Sequence, residues 1–170
     1  MTANNHAERN QLLEQVFALA TEARADGDHP FGALLAIDGV VVAEAKNRVT
    51  TDGDITAHAE MMLVRNLERD GRLHLLSVGV FYASCEPCPM CVGAMFWSGV
   101  RRVVYGLSAG RLSDLATPVG NEPFGFTITA PDLGAATSPP MAFDGPCLED
   151  RAAVPHNGFW VQAVSPPEVR

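Results

Sequence analysis

The 170-residue sequence has little positive charge. It contains 12 lysine and arginine residues against 20 aspartate and glutamate residues, and its formal net charge is −8. The basic residues are scattered, and only Arg101 and Arg102 stand side by side. A protein that binds a phosphate backbone usually carries a basic surface. The composition therefore disfavours a nucleic acid as the partner of this protein.

Long apolar runs and a disulfide framework are missing as well. No hydrophobic run reaches the length of a membrane span, and the first nine residues are polar, unlike those of a signal peptide. Three of the four cysteines crowd into residues 85–91, which is typical of metal binding and not of disulfide bridges. We expect a cytoplasmic protein without membrane contact, in which Cys147 is an inert buried or loop thiol.

The remaining composition is that of an ordinary globular protein. Hydrophobic residues make up 47% of the chain and charged residues 19%. A chain of this length can bury a sizeable core, and no internal repeat divides it. We therefore expect a single domain over residues 1–170.

Hydrophobic spacing predicts an α/β fold. Residues 8–25 have the spacing of an amphipathic helix, and two apolar runs at residues 31–37 and 40–45 flank a hairpin signal at Asp38-Gly39. The next elements are a helix capped by Thr56, a strand at residues 78–83, a helix at residues 88–97 and a strand at residues 102–105.

The connection between the last two strands indicates a mixed sheet. A helix links them, so they should be parallel, whereas the hairpin strands are antiparallel. The helix after Thr56 should bury four apolar residues: Met61, Met62, Val64 and Leu67. Beyond residue 106 we expect a loop with a helical turn near Leu112, a fifth strand within residues 124–130 and a short helix at residues 148–153.

Two short segments carry the candidate chemistry: residues 84–91, which read SCEPCPMC, and residues 58–60, which read HAE. Cys88 and Cys91 are three positions apart, so on a helix their sulfurs point to the same side. The N-terminus of that helix favours thiolates over thiols. With His58 as a third ligand, this set predicts one zinc ion per chain with an open fourth position.

Glu60 gives this site its predicted reactivity. A carboxylate next to an open zinc position can handle the protons of a water that the metal activates. The pattern H-x-E…P-C-x-x-C is the signature of zinc-dependent nucleobase deaminases, and both halves are present here. We expect Glu60 to be the catalytic proton shuttle during attack by a zinc-bound hydroxide.

Two other kinds of metal site compete with this interpretation. If Cys85 joined His58, Cys88 and Cys91, the site would be closed and structural, and the protein would be a non-catalytic Cys₃His zinc module. An iron–sulfur cluster would need a fourth cysteine within residues 92–95, and none is there. The remaining histidines include His29, His74 and His156, which we expect to be surface groups and not ligands.

From residue 30 to about residue 106, the chain resembles the zinc-dependent cytidine and deoxycytidylate deaminase superfamily. The matching stretches are residues 30–33 (PFGA), Asn47, residues 56–60 (TAHAE) and residues 84–91. The residues in these stretches resemble most closely those of bacterial guanine deaminases and their plant guanosine-deaminase relatives. The resemblance implies a three-layer α/β/α fold with a five-stranded mixed sheet, a homodimer, and a role in purine metabolism through hydrolysis of guanine to xanthine and ammonia.

The same resemblance implies substrate contacts. Asn47 would hydrogen-bond the base, Phe31 would form a wall of the pocket, and the backbone of Ala59 would hold the side of the ring that carries the amine. Residues 107–170 depart from the family pattern. They offer Asp114 or Glu122 as the acid that guanine deaminases carry after the fourth strand, and Phe159 and Trp160 as a lid.

Because residues 107–170 should set specificity, other substrates stay open. These are guanosine, cytosine, an aminotriazine-like base and a tRNA adenosine. The acidic charge and the lack of a basic C-terminal helix disfavour the tRNA substrate.

Overall fold

A five-stranded mixed sheet forms the centre of the computed structural model, which describes residues 3–117 and 125–160. The spatial order is β2-β1-β3-β4-β5, with β1 antiparallel to β2 and β3, and with β3, β4 and β5 parallel. The predicted mixed sheet is confirmed. The strands are β1 (Gly32–Ile37), β2 (Val40–Lys46), β3 (Val80–Cys85), β4 (Arg102–Leu107) and β5 (Ala142–Asp144).

Helices cover both faces of this sheet. None of those described is long and apolar enough to cross a membrane. The α-helices are α1 (Ala3–Ala25), α2 (Val49–Asp52), α3 (Ala59–Arg69), α4 (Pro89–Trp97), α5 (Ala109–Ala116), α6 (Ala130–Ala135) and α7 (Glu149–Ala153). Short 3₁₀ helices span Leu73–Ser77 and Val154–His156.

Alternation along the strands separates the core into two layers. Leu34 of β1 packs with the apolar face of α1, including Leu13 and Val16, whereas its neighbour Leu35 packs with α3 and α4, including Leu63 and Met95. Successive side chains of a strand point to opposite faces, so one continuous sheet serves both layers. This is the expected three-layer α/β/α arrangement.

The predicted hairpin is confirmed at Asp38 and Gly39, which have φ angles of 49° and 77°. Both angles are positive, as the tight turn between two antiparallel strands requires. The parallel pairing of β3 and β4 and the short helix α7 also follow the predictions.

The predicted position of the fifth strand is wrong. The β-branched residues before Ala130 resemble a strand, but Thr129 caps α6 by accepting a hydrogen bond from the Asp132 N–H at 3.2 Å. The fifth strand is instead β5, which pairs with β4 through residues 142–144. Residue 124, the first of the predicted strand, lies outside the described residues.

The beginning of α3 also differs from the prediction. His58 and not Thr56 is the N-cap residue, and the Thr56 hydroxyl instead bonds Asp54 and Arg65. Of the predicted core residues of α3, Leu67 is fully buried, whereas Met61, Met62 and Val64 are only partly buried. Leu63 is the fully buried residue that the prediction omitted. After β2, the one-turn helix α2 precedes the segment that leads to His58.

Gly106 allows α1 to approach β4 closely. A Cβ atom at this position would lie 2.6 Å from the Ser84 carbonyl oxygen and would overlap the Phe17 ring. We expect Gly106→Ala to lower the free energy of unfolding by about 1–3 kcal/mol, the usual cost of overpacking. Urea unfolding measures this change in the free energy of unfolding. Gly110→Ala is the control, because a Cβ atom there would have no contact within 4 Å beyond its chain neighbours and the backbone of its own helix. Equal stability of the two variants would contradict the packing argument.

Candidate metal centre and active site

The ends of two helices bring three candidate ligands together. His58 is the N-cap residue of α3, Cys88 is the N-cap residue of α4, and Cys91 lies in the first turn of α4. The Sγ atoms of Cys88 and Cys91 are 3.7 Å apart, and each lies 3.7 Å from Nδ1 of His58. The three atoms therefore form an equilateral triangle.

This triangle has the size of one face of a tetrahedral zinc site. Zinc–sulfur bonds of about 2.3 Å and zinc–nitrogen bonds of about 2.0–2.1 Å separate tetrahedral ligand atoms by roughly 3.5–3.8 Å. Among the described residues, the group that could hold a metal contains His58, Cys88 and Cys91 and does not include Cys85. Cys85 is a buried thiol at the end of β3. A donor set of two sulfurs and one imidazole with a free fourth position suits zinc.

The charges of the ligands support the same fit. Hydrogen bonding with Cys91, together with the His58 imidazole, lowers the pKa of Cys88 to about 4. The hydrogen bond with Cys88 in turn raises the pKa of His58. Burial raises the pKa of Cys85 well above its usual value. Cys88 is therefore the thiolate of the triangle, whereas the hydrogen bond with Cys88, together with burial, raises the pKa of Cys91, so that a cation bound there would displace the Cys91 proton.

Glu60 lies beside the triangle in the first turn of α3. Its side chain is buried, its Oε2 atom is 3.6 Å from Sγ of Cys91, and burial raises its pKa. Ala59, between His58 and Glu60, is also fully buried. A buried carboxyl group next to a set of metal ligands can bind and release protons there without competition from bulk water.

Asn47 directly follows β2, and its side-chain amide uses only its oxygen within the described part of the chain. It is fully buried, and its Oδ1 accepts a hydrogen bond from the Val49 N–H at 3.0 Å. Its Nδ2 is buried without a hydrogen-bond partner in the described part of the chain. Asp28 holds the next turn by accepting hydrogen bonds from the backbone of Thr50 and Thr51.

A cavity of about 360 Å³ reaches the triangle at Cys88. Pro87 and Pro89 form one side of it, and most of the remaining wall comes from the last third of the chain. The residues from that third are Ala109, Leu112, Ser113, Ala116, Gly125, Phe126, Thr127, Ile128 and Trp160. The predicted specificity region is thus next to the predicted metal ligands.

The predicted substrate contacts of the last third are only partly in place. Trp160 lines the cavity. Phe159 does not line the cavity, and its ring packs edge-on against the Trp160 ring with a centroid distance of 4.9 Å. Asp114 lies on α5 but is not among the lining residues, and Glu122 lies outside the described residues. Phe31 packs behind Trp160, with a ring-centroid distance of 6.1 Å.

His156 was expected at the surface, and that expectation is wrong. The side chain is 1% exposed, and its Nδ1 accepts a hydrogen bond from the Trp160 indole N–H at 3.3 Å. Burial, followed by the positive charge of Arg24, lowers its pKa to about 4. His74 is exposed as predicted, and His29 is half-buried with its ring 5.5 Å from that of Trp160. The sequence around His156 does not predict its burial, because Arg24 and Phe31, which pack around it, are more than a hundred positions away in the chain.

Glu86 is a second residue that the sequence reasoning missed. Its carboxylate accepts hydrogen bonds from the Ala109 N–H at 3.0 Å and from the Ala130 N–H at 2.8 Å. These N–H groups stand at the first turns of α5 and α6, which have no intrahelical acceptor for them. One carboxylate within the cysteine motif therefore ties α5, which lines the cavity, and α6 to the segment that carries the candidate ligands Cys88 and Cys91.

Comparisons with known proteins agree with this geometry. The family model described as the cytidine and deoxycytidylate deaminase zinc-binding region matches residues 5–107. A probable cytosine deaminase of Schizosaccharomyces pombe is 40% identical over 149 residues, which are 87% of this chain and 90% of that protein. A tRNA-specific adenosine deaminase of Agrobacterium fabrum is 37% identical over 101 residues, 59% of this chain and 66% of that protein.

The guanine deaminase of Bacillus subtilis is similar in sequence and in structure. It is 42% identical over 95 residues, which are 55% of this chain and 61% of that protein. The solved structure of a B. subtilis guanine deaminase covers 71% of this chain and 84% of its own, with a TM-score of 0.57 and 32% identity. The match to the family model and the 40% identity over most of the chain place this protein: it belongs to the zinc-dependent cytidine and deoxycytidylate deaminase family and is a hydrolytic deaminase.

Proposed function

We propose that this protein removes the amino group of a free nucleobase by hydrolysis, with one zinc ion per chain. The observation that carries the proposal is the 3.7 Å triangle of His58, Cys88 and Cys91 with the buried Glu60 carboxyl group beside it. A closed Cys₃His module would need Cys85 as a fourth ligand, and Cys85 is not part of this cluster among the described residues.

In the proposed mechanism, His58, Cys88 and Cys91 hold the metal. When bound, zinc lowers the pKa of a coordinated water and so supplies a nucleophile at neutral pH. Glu60 accepts a proton from the attacking water and delivers it to a ring nitrogen of the base. The same carboxylate then takes the proton of the hydroxyl group that has been added to the ring and passes it to the amino group, so that the C–N bond breaks, a carbonyl group forms and ammonia leaves. The position of Glu60 at the start of α3, next to the ligands, allows one group to serve both transfers.

Substrate binding in this proposal relies on Asn47. Its Nδ2–H group is buried and unpartnered in the described structure, and leaving such a donor unsatisfied costs about 1–3 kcal/mol. A carbonyl oxygen or unprotonated ring nitrogen of a base would remove that cost. We assign Phe31 to the wall behind Trp160, and the backbone of Ala59 to the side of the ring that carries the amine.

Cytosine is the base that the whole chain supports best. The cavity wall lies largely within residues 109–160, and the similarity to the probable cytosine deaminase extends over 87% of the chain. The similarity to the guanine deaminase covers 55% of it. Guanine is the second candidate substrate, because the motif at residues 84–91 resembles that of guanine deaminases. A single domain with a net charge of −8 argues against tRNA as the substrate.

We also propose that the enzyme is a homodimer. Trp97, at the end of α4, is 84% exposed, and Ile55 is 82% exposed. Large apolar side chains supply much of the contact at protein–protein interfaces, and both residues lie close in sequence to the candidate metal ligands. A second copy of the chain is the partner that the family resemblance suggests.

Metal content tests the ligand set. We expect Cys88→Ser to lose the bound zinc, because the serine hydroxyl is a far weaker ligand than a thiolate. Cys85→Ser is the matched control and should keep one zinc per chain. Elemental analysis of the purified variants measures both. Loss of zinc from the Cys85 variant as well would revive the closed Cys₃His site.

Glu60→Gln tests the proton shuttle. We expect kcat to fall by about 10²–10⁴-fold, the usual contribution of general acid–base catalysis, with the zinc content unchanged. Glu68→Gln, on the exposed side of the same helix, is the control and should retain full activity. A Glu60 variant with a tenth or more of the parent rate would remove this residue from the mechanism.

A panel of substrates tests the choice of base. Ammonia release by the zinc-loaded protein should be most efficient with cytosine, and kcat/KM for guanine should be lower by about 10²-fold or more, since a wrong hydrogen-bonding pattern leaves buried groups unpaired. Cytidine, guanosine, adenine and a tRNA anticodon stem-loop complete the panel. A preference for guanine would favour the second candidate, whereas activity on the RNA alone would contradict the proposal of a free base.

A further inference from the structure

Trp160 is the last residue that the structure describes, and its side chain lines the cavity. It lies on the wall together with Cys88 and Pro89, although it comes 69 positions after Cys91 in the sequence. The rings of Phe31, His29 and Phe159 surround it at centroid distances between 4.9 and 6.1 Å. These contacts are apolar or edge-on and allow the indole to tilt, so they do not specify its orientation by themselves.

His156 supplies the directional contact. The planes of the His156 and Trp160 rings differ by 11°, and the indole Nε1–H group donates to Nδ1 of His156 at 3.3 Å. Because the two rings are nearly parallel, the lone pair of Nδ1 is directed nearly parallel to the plane of the indole. The lowered pKa of His156 keeps this nitrogen available as an acceptor at neutral pH.

The backbone around His156 is anchored independently. The Arg24 guanidinium, near the end of α1, donates to the carbonyl oxygens of Pro155 at 2.7 Å and Asn157 at 2.8 Å, on both sides of His156. The Phe31 ring packs against the imidazole at 5.2 Å. His156 is thus fixed to α1 and to the beginning of β1, while Trp160 is fixed to His156.

Burying the His156 imidazole at this position lowers the stability of the fold. Its Nε2 atom is buried without a hydrogen-bond partner in the described residues, and an apolar side chain of similar size would avoid that cost. The feature that an apolar residue could not provide is the acceptor at Nδ1.

We propose that His156 is a positioning residue that fixes the Trp160 indole as a wall of the cavity and thereby increases affinity for the base. It does not reach the metal ligands itself. Its effect should therefore fall on KM, through the shape of the cavity, and much less on kcat. The prediction for KM rests on the proposed deaminase function, whereas the orientation of Trp160 can be measured without any substrate.

The test uses Trp160 fluorescence in the zinc-loaded protein. The sequence has two tryptophans, and the exposed Trp97 can be replaced by Trp97→Phe, so that Trp160 is the only emitter. In this background, His156→Leu removes the acceptor at similar volume, and His156→Asn places a carbonyl oxygen near the position of Nδ1. His74→Leu, at an exposed site, is the matched control.

We expect His156→Leu to shift Trp160 emission to longer wavelength, to increase acrylamide quenching and to raise KM by about 2- to 10-fold, as expected for one lost hydrogen bond. The Asn variant and the His74 control should resemble the parent. Unchanged quenching in the Leu variant, or an Asn variant as impaired as the Leu variant, would overturn the proposal. If the protein turns over no base, the proposed function is wrong, and the quenching data alone test whether His156 orients Trp160.

A double-mutant cycle covers the case in which His156→Leu does not fold. Trp160→Phe removes the donor of the same hydrogen bond and should raise KM by a similar factor. Combining Trp160→Phe with His156→Phe, a second variant without the acceptor, should raise KM no further than either substitution alone, because the bond is already absent. Independent, multiplicative effects on KM would show that the two residues act separately and would overturn the proposal.

Discussion

The meeting of two helix N-termini is the constraint on which the site depends. Two thiol groups and an imidazole come within 3.7 Å of one another only because α3 and α4 both begin at this point. The partial positive charge of helix N-termini favours thiolates. Cys88 is the thiolate here, and the Cys91 sulfur and the His58 imidazole lie at the distance at which they can bind the same cation. Both helices lie on the same face of the sheet, which keeps these ends together: β3 leads into α4, and α3 packs against β1 and β2.

The remainder of the active site is attached to this centre by a few directional contacts. Glu86 lies between Cys85 and the ligand Cys88, and its carboxylate bonds the first turns of α5 and α6. At the other side of the cavity, Arg24 of α1 fixes the turn around His156. Elements far apart in the sequence thus meet around one cavity, through charged groups whose partners are backbone atoms. Bonds of this kind constrain where a helix begins without requiring a particular side chain from the helix itself.

The parts of the structure that could be predicted are those encoded by local spacing. The hairpin at Asp38-Gly39, the helix that carries Cys91, and the parallel pairing of β3 and β4 each follow from residues that are close in sequence. The parts that could not be predicted depend on distant partners. Strand β5 has three residues and exists through its pairing with β4. His156 is polar, and only the packing of Phe31 and the anchoring by Arg24 place it inside.

The division between chemistry and recognition has the same origin. The candidate ligands and Glu60 all lie within residues 58–91, and in the proposed mechanism they act only where the amine is replaced. The wall of the cavity next to them comes mainly from residues 109–160. The relatives named for guanine and for tRNA adenosine match over 95 and 101 residues, whereas the probable cytosine deaminase matches over 149. A metal centre that depends on two helix ends does not need to change when the wall does. Substitutions in the wall can therefore alter the base while the arrangement of ligands and carboxyl group stays the same.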